Sequence, residues 1–119
     1  MKVIVRNGAV MPELSSPVRE FVEAVNAHDE QGFLDAFAGP GVVDDWGREF
    51  VGREAIKGWS DEEFIGAQGT MEVQQVDVRD DGRVIVVADW RSNHANGLSE
   101  FGFDVEGDAV TRLTIRGAE

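Results

Sequence analysis

The sequence predicts a single α+β domain in which helices pack against one face of a curved antiparallel sheet. Apolar residues recur at helical spacing in the first half of the chain, and strand-length runs separated by turn sequences fill the second half. At 119 residues the chain has about the length of one domain, and an apolar content of 42% suffices for a core. The chain has no cysteine, so this core must be stable without disulfides.

The first helix is predicted to begin at Ser16. Residues 1–15 have no clear period, so we expect a tail or a short additional strand there, followed by one domain over residues 16–119. Ser16 can cap a free helix N–H group, and Pro17 at the first helical position needs no donor. The apolar residues that follow at helical spacing are Val18, Phe21, Val22 and Val25.

A second helix is predicted after a short break, with Asp29 as its N-terminal cap. Its apolar residues are Phe33, Leu34 and Phe37. The sequence Gly39-Pro40-Gly41 combines two residues that disfavour helices, so we expect the helix to end before it.

The rest of the chain is predicted to contain one more helix and a β-meander. Two short β-like pieces, 42–46 and 50–51, precede a third helix expected from about Arg53 to Trp59. The four later runs of strand length are Met71 to Arg79, Arg83 to Ser92, Leu98 to Glu106 and Ala109 to Arg116. Turn sequences such as Asp80-Asp81-Gly82 and Asn96-Gly97 separate them, which is typical of consecutive antiparallel strands.

The charge of the chain argues against several classes of partner. The formal net charge is −12, which repels nucleic-acid phosphates and anionic lipid headgroups. The first residues contain only three consecutive strongly apolar positions before Arg6, too few for a signal-peptide core, and no run approaches the length of a membrane helix. We therefore expect a soluble, cytoplasmic protein that binds neither nucleic acid nor membranes.

The order of elements and several short motifs resemble the nuclear-transport-factor-two-like superfamily, which includes ketosteroid isomerase, SnoaL-like polyketide cyclases and scytalone dehydratase. The stretches that carry the resemblance are Phe21 to Asp29 with its Asn-x-x-Asp ending, Phe33 to Phe37, Val43-Asp44-Asp45, and Phe50 to Ile56 with its Gly-x-x-Ala-Ile helix start. The resemblance covers about residues 18–115. It implies a cone-shaped curved antiparallel sheet with helices packed on its concave face, a pocket between them, and a homodimer formed through the sheet.

Asp45 is the first candidate catalytic residue. In ketosteroid isomerase the general base lies on the strand that Val43-Asp44-Asp45 resembles, and the resemblance places the base at Asp45. A carboxylate in an apolar pocket is a competent proton shuttle. Strand alternation directs Asp44 to the opposite face. The alternative is that both aspartates are solvated residues at a strand end.

The other polar groups of the isomerase are not matched. Its tyrosine position corresponds to Phe21 and its late aspartate position falls near Ser99, so ordinary ketosteroid isomerase activity is not expected. His94 is the second candidate catalytic residue, because it follows a strand that would end near the mouth of the cone. The alternative for His94 is an exposed loop residue before the Asn96-Gly97 turn.

The predicted pocket is largely aromatic. Phe101 and Phe103 share one strand face and would line a site for a flat, apolar ligand, although such residues more often belong to a core. The pocket residues that we predict are Phe21, Val25, Phe37, Trp46, Trp59, Trp90, Ser99, Phe101 and Phe103. With no cysteine, only two histidines and no glycine-rich phosphate loop, we predict no metal and no cofactor.

Two functions remain open at this point. One is an enzyme that abstracts a proton next to a carbonyl group of an apolar or ring-containing ligand, followed by isomerisation, cyclisation or dehydration. The other is a non-catalytic ligand-binding or interaction module of the same fold. A homodimer is expected in either case, because the strand around Val84-Ile85-Val86-Val87 is apolar on both faces.

Overall fold

The computed structural model describes residues 2–4 and 16–118 of the chain. Within these residues it contains three helices, α1 (Ser16–Asn26), α2 (Glu30–Asp35) and α3 (Arg53–Glu63). The strands are β1 (Lys2–Ile4), β2 (Phe37–Asp45), β3 (Arg48–Val51), β4 (Thr70–Val78), β5 (Val84–Arg91), β6 (Gly97–Glu106) and β7 (Ala109–Gly117). The α+β class predicted from the sequence is confirmed.

All the described strands belong to one curved sheet that does not close, in the order β1-β4-β5-β6-β7-β2-β3. Strands β4 to β7 form the predicted antiparallel meander. Strand β2 then lies parallel to β7, with Val43 opposite Leu113, and forms a hairpin with β3. This parallel pairing was not predicted, because turn sequences report only on strands that follow each other directly.

The first fifteen residues were predicted to be a tail or a short strand. Residues 2–4 form β1, which pairs antiparallel with β4 so that Val3 lies opposite Val76. Residues 5–15 lie outside the described part of the chain.

The second helix is shorter than predicted. Helix α2 ends at Asp35, and Phe37 begins β2, so Gly39-Pro40-Gly41 lies within a strand and does not end a helix. Pro40 has no N–H to donate to a sheet, and the pairing of β2 with β7 shifts register between Phe37 and Val42, where this proline lies. The strand accommodates proline at this irregular point for that reason, and Phe37 remains fully buried.

The core lies between the concave face of the sheet and the helices. The outward residues of α1, such as Glu20 and Glu23, are exposed, whereas its apolar face is buried. Phe21 is at the centre of the core, with its ring centroid 5.4 Å from that of Phe33 and 5.0 Å from that of Phe103. These close ring contacts hold α1 and α2 against the meander.

The end of α1 is bonded to the start of β4. The Asn26 Nδ2 group donates to the Met71 carbonyl at 3.0 Å, and the Met71 N–H donates to Asn26 Oδ1 at 2.7 Å. The side-chain amide of Asn26 thus provides Met71 with the donor and the acceptor that the backbone of a neighbouring strand would provide. His28, at a left-handed φ of 55°, places Nε2 3.0 Å from the Gly69 carbonyl oxygen. Asn26 and His28 therefore fix the end of α1 to the sheet, while Asp29 caps α2.

We expect Asn26→Ala to lower the free energy of unfolding by about 1–3 kcal/mol, because both Met71 backbone groups lose their partner. Urea denaturation measures this change. The matched control is Asn93→Ala, since the Asn93 side chain makes no hydrogen bond within the described residues. Equal stabilities of the two variants would show that the Asn26 amide has no role in docking α1.

Candidate functional site

A cavity of about 300 Å³ opens at one end of the sheet. Its walls come from the end of β2, the last turn of α3, and strands β5 and β6 with the loop that joins them. The aromatic residues that line it are Trp46, Trp59, Phe64, Trp90 and Phe101, and the charged or titratable residues are Asp45, Arg48, Glu63 and His94. The site therefore combines apolar walls with a small set of polar groups.

A continuous series of stacked rings forms the inner wall. The Phe64 ring lies 4.4 Å from the Trp90 ring at an angle of 12°, and the Trp59 ring lies 4.7 Å from Phe64 on its other side. Trp90 also lies directly against the backbone at Gly69, where an added Cβ would be 2.0 Å from Trp90 Cη2. Glycine is required at that position because any side chain would displace the indole ring.

Trp46 forms the outer edge of the cavity. It lies in the two-residue turn between β2 and β3, has a left-handed φ of 54°, and is 65% exposed. Its indole lies against Gly117, where an added Cβ would be 3.0 Å from Trp46 Cη2. A large apolar ring is thus held exposed beside the mouth of the cavity.

Asp45 lines the cavity, with a side chain that is only 13% exposed. Its Oδ2 atom accepts a hydrogen bond from Trp59 Nε1 at 3.1 Å and forms an ion pair with the Arg48 guanidinium. Its Oδ1 atom has no hydrogen-bond partner within residues 2–4 and 16–118. One carboxylate oxygen is therefore anchored, and the other is available to a ligand.

Arg48 and Glu63 connect Asp45 to His94. Arg48 Nη1 and Nη2 donate to Glu63 Oε2 and Oε1 at 3.0 and 2.6 Å, which is the two-bond geometry of a strong guanidinium–carboxylate pair. His94 Nε2 lies 3.1 Å from Glu63 Oε1. We refer to Asp45, Arg48, Glu63 and His94 as the charged ring.

The ion pairs of the charged ring shift two of its pKa values. The hydrogen bonds from Arg48 hold the pKa of Glu63 below its usual range, although partial burial opposes this. The bonds from Glu63 and then Asp45 raise the pKa of Arg48 further above its already high value. Both groups therefore stay charged at neutral pH.

Asp44 lies on the opposite face of β2 from Asp45, as strand alternation requires. Its Oδ2 atom pairs with Arg112 at 3.0 Å, and its Oδ1 atom pairs with Arg116 at 3.1 Å and accepts the Gly47 N–H at 2.8 Å. Hydrogen bonding to Arg116, more than any other interaction, lowers the pKa of Asp44 to about 2. Asp44 thus bonds β2 to β7 and to its own turn.

The structure brings together only part of the predicted site. The predicted residues that line the cavity are Asp45, His94, Trp46, Trp59, Trp90, Ser99 and Phe101. The predicted residues Phe21, Val25, Phe37 and Phe103 do not line it, because α1 and α2 cover the other half of the concave face and bury them completely in the core. The periodicity of the apolar residues indicated which face of each helix and strand is buried. It could not show which end of the sheet the helices would cover.

Sequence reasoning missed Arg48, Glu63 and Phe64. Helix α3 continues past Trp59 to Glu63, whose side chain is only 18% exposed. Arg48 lies directly opposite Asp45 in the β2–β3 hairpin. That proximity could have been found from the two-residue turn at Trp46-Gly47, which fixes the register of the hairpin.

The described residues contain no group of three or more histidine, aspartate or glutamate side chains arranged to hold a metal ion. None of the described helices has the length and apolarity needed to cross a membrane.

Comparison with known proteins identifies similar domains. The family model of the SnoaL-like domain matches residues 18–118. Among curated proteins, none matches the chain.

Three solved structures illustrate the fold. A candidate polyketide cyclase from Sinorhizobium meliloti is 22% identical with a TM-score of 0.76, over 87% of this chain and 96% of that one. A protein from Sphaerobacter thermophilus is 30% identical with a TM-score of 0.66, over 87% and 94% of the two chains. A Mycobacterium tuberculosis protein in complex with estradiol-17β-hemisuccinate is 18% identical with a TM-score of 0.73, over 87% and 95%.

We expect Asp44 to make the stability of the fold depend on acid pH. Its folded-state pKa of about 2 lies below the ordinary value of 3.8, so its contribution is fully present above about pH 4 and is lost as the pH falls through 2. Asp44→Asn should therefore lower the free energy of unfolding near neutral pH by about 1–3 kcal/mol, and the difference from wild type should shrink as the pH falls.

Urea denaturation at a series of pH values tests this expectation. Asp80→Asn, in the exposed turn between β4 and β5, removes the same charge and is the control. A difference between Asp44→Asn and wild type that stays constant down to about pH 2 would contradict the assignment of the low pKa to Asp44.

Proposed function

Because this chain belongs to the SnoaL-like domain family, as the match over residues 18–118 shows, we propose that its cavity binds a small apolar, ring-containing molecule and that Asp45 acts on it as a general base. The observation that carries this proposal is the position of Asp45, whose Oδ1 atom lacks a partner among the described residues in a cavity walled by aromatic rings.

The binding part of the proposal rests on the walls of the cavity. The stacked series Trp59, Phe64 and Trp90 forms an apolar wall that is almost entirely buried. A volume of about 300 Å³ lies at the lower end of the range usual for small-molecule sites. Aromatic rings prefer offset or edge-to-face contacts with one another, so a ring-containing ligand suits an aromatic wall.

The catalytic part rests on how Asp45 is held. The Trp59 N–H and Arg48 both bond to Oδ2, so the carboxylate has one orientation and Oδ1 is the atom that can take a proton. The proposed reaction is removal of a proton next to a carbonyl group, which leads to isomerisation, cyclisation or dehydration. His94, held by Glu63 at the mouth, is the proposed second proton carrier.

An ordinary ketosteroid isomerase reaction is not proposed. The chain has no tyrosine, and the Ser99 hydroxyl already donates a hydrogen bond to the Gly97 carbonyl oxygen at 3.1 Å. The donors that remain near Asp45 for a developing oxyanion are Arg48 and His94, and both are already bonded to Glu63.

A second candidate function is binding without catalysis. The ion pair of Asp45 with Arg48 favours it, because a carboxylate held in one position serves as a ligand anchor even if no proton moves. The similar Mycobacterium tuberculosis structure holds a steroid ester, which supports a fold-level capacity to enclose ring systems.

Replacing Asp45 separates the two functions. For a ring-containing ketone found to be turned over, Asp45→Asn should reduce the rate by about 10²-fold or more, while the dissociation constant changes only a few-fold. Asp80→Asn is the control. Full activity of Asp45→Asn would exclude Asp45 as the base, and the absence of binding by any ring-containing molecule would exclude the cavity as a ligand site.

We also propose that the chain forms a homodimer through the outer face of the sheet. Val84 and Val86 belong to the core, and Ile85 is also buried although alternation places it on the opposite face. Val87, on that outer face, shares a shallow groove with the 45%-exposed Leu98. Apolar side chains on this face support association of two copies of the chain, because burying them in an interface removes them from water.

Sedimentation equilibrium tests the dimer. We expect twice the chain mass of 13.0 kDa, and dissociation to the monomer on Val87→Arg, because an unpaired charge would be buried. The control is Val51→Arg on the edge strand β3, where the residue is 62% exposed. A wild-type monomer at micromolar concentration would contradict the proposal, as would a Val87→Arg dimer as stable as the control.

A further inference from the structure

The charged ring has an excess of negative charge. Arg48 pairs with both Asp45 and Glu63, so two carboxylates share a single positive charge. While the imidazole of His94 is neutral, one negative charge is left uncompensated, and the Asp45 Oδ1 atom has no partner among the described residues.

The acidic groups lie deeper than the basic ones. The side chains of Asp45 and Glu63 are 13% and 18% exposed, whereas those of Arg48 and His94 are 53% and 52% exposed. A ligand that enters the cavity therefore approaches carboxylate oxygens on the inside, while the cationic groups face outward to solvent.

Trp46 adds to this preference. The face of an aromatic ring is the negative part of its quadrupole and attracts cations within about 6 Å of its centre. Trp46 is 65% exposed at the mouth, so its ring is accessible to a cation there. The whole chain, with a net charge of −12, also attracts cations from a distance and repels anions.

The same arrangement of charges disfavours an anionic ligand. Arg48 is the only arginine or lysine that lines the cavity among the described residues, and it already binds two carboxylates. A ligand carboxylate or phosphate would have to displace Glu63 or Asp45 from Arg48 and leave a partly buried carboxylate unpaired.

We propose that the cavity selects ring-containing ligands whose polar end is a protonated amine or another hydrogen-bond donor, which Asp45 Oδ1 accepts, and that it discriminates against ligands with an anionic end. This inference rests on the proposed function, because it assumes that the cavity binds ring systems.

Three probes of matched shape test the inference. They are 2-naphthylmethylamine, 2-naphthylmethanol and 2-naphthoate, which share one ring system and differ in the charge of the polar end. Binding is measured by calorimetry at about pH 8, where free imidazole is neutral. We expect the amine to bind about tenfold or more tightly than the naphthoate, with the alcohol between them, and the difference to decrease with added salt.

Two substitutions change the net charge of the charged ring in opposite directions. Asp45→Asn should weaken amine binding about fivefold or more and leave the alcohol within about twofold, because it removes the uncompensated charge. Arg48→Gln should strengthen amine binding and weaken naphthoate binding further. Asp80→Asn removes one negative charge outside the cavity and should change neither the affinity for the amine nor the affinity for the naphthoate. Thermal unfolding of each variant shows that it is folded.

Each outcome has a separate meaning. Naphthoate binding as tight as amine binding, or amine binding unchanged in Asp45→Asn, would overturn the charge preference while leaving the proposed function in place. Failure of all three probes to bind would overturn both. Opposite effects of Asp45→Asn and Arg48→Gln on the amine would support the inference, since loss of structure would weaken binding in both.

Discussion

The parallel pairing of β2 with β7 is the constraint on which the rest of the structure depends. It is fixed on one face by Asp44, which bonds to Arg112 and Arg116 of β7 and to the Gly47 N–H of the following turn. Because side chains alternate along a strand, holding Asp44 outward directs Asp45 into the cavity. A slip of one residue would exchange the two aspartates and turn Asp45 to the outer face, away from Trp59.

The same pairing brings the charged ring together from separate parts of the chain. Arg48 is opposite Asp45 across the hairpin that β2 forms with β3. Helix α3 follows that hairpin, and its last residue, Glu63, reaches Arg48 while Trp59 from the turn before reaches Asp45. The stabilising interactions therefore converge on the Oδ2 atom of one carboxylate and leave its Oδ1 atom without a partner among the described residues.

The cavity exists because the helices cover only part of the concave face. Phe21 and Phe103 fill one end of the sheet as an ordinary core, and their equivalents at the other end, Phe64 and Trp90, stack as a wall with space in front of them. The family match establishes the domain, whereas the chemistry of this particular site depends on its own residues. An arginine between two carboxylates, in a chain without tyrosine, distinguishes it from the isomerase pattern that the sequence resembles.

The sequence by itself determined the α+β class, the amphipathic first helix, the meander of β4 to β7 and the opposite directions of Asp44 and Asp45. Each depends on local periodicity or turn chemistry, which neighbouring residues specify. Only the tertiary structure decided that Gly39-Pro40-Gly41 lies within a strand, that Phe21 is core whereas Trp90 lines a cavity, and that Glu63 joins the site. These features depend on which distant segments meet, and contacts between residues far apart in sequence leave no local pattern to read.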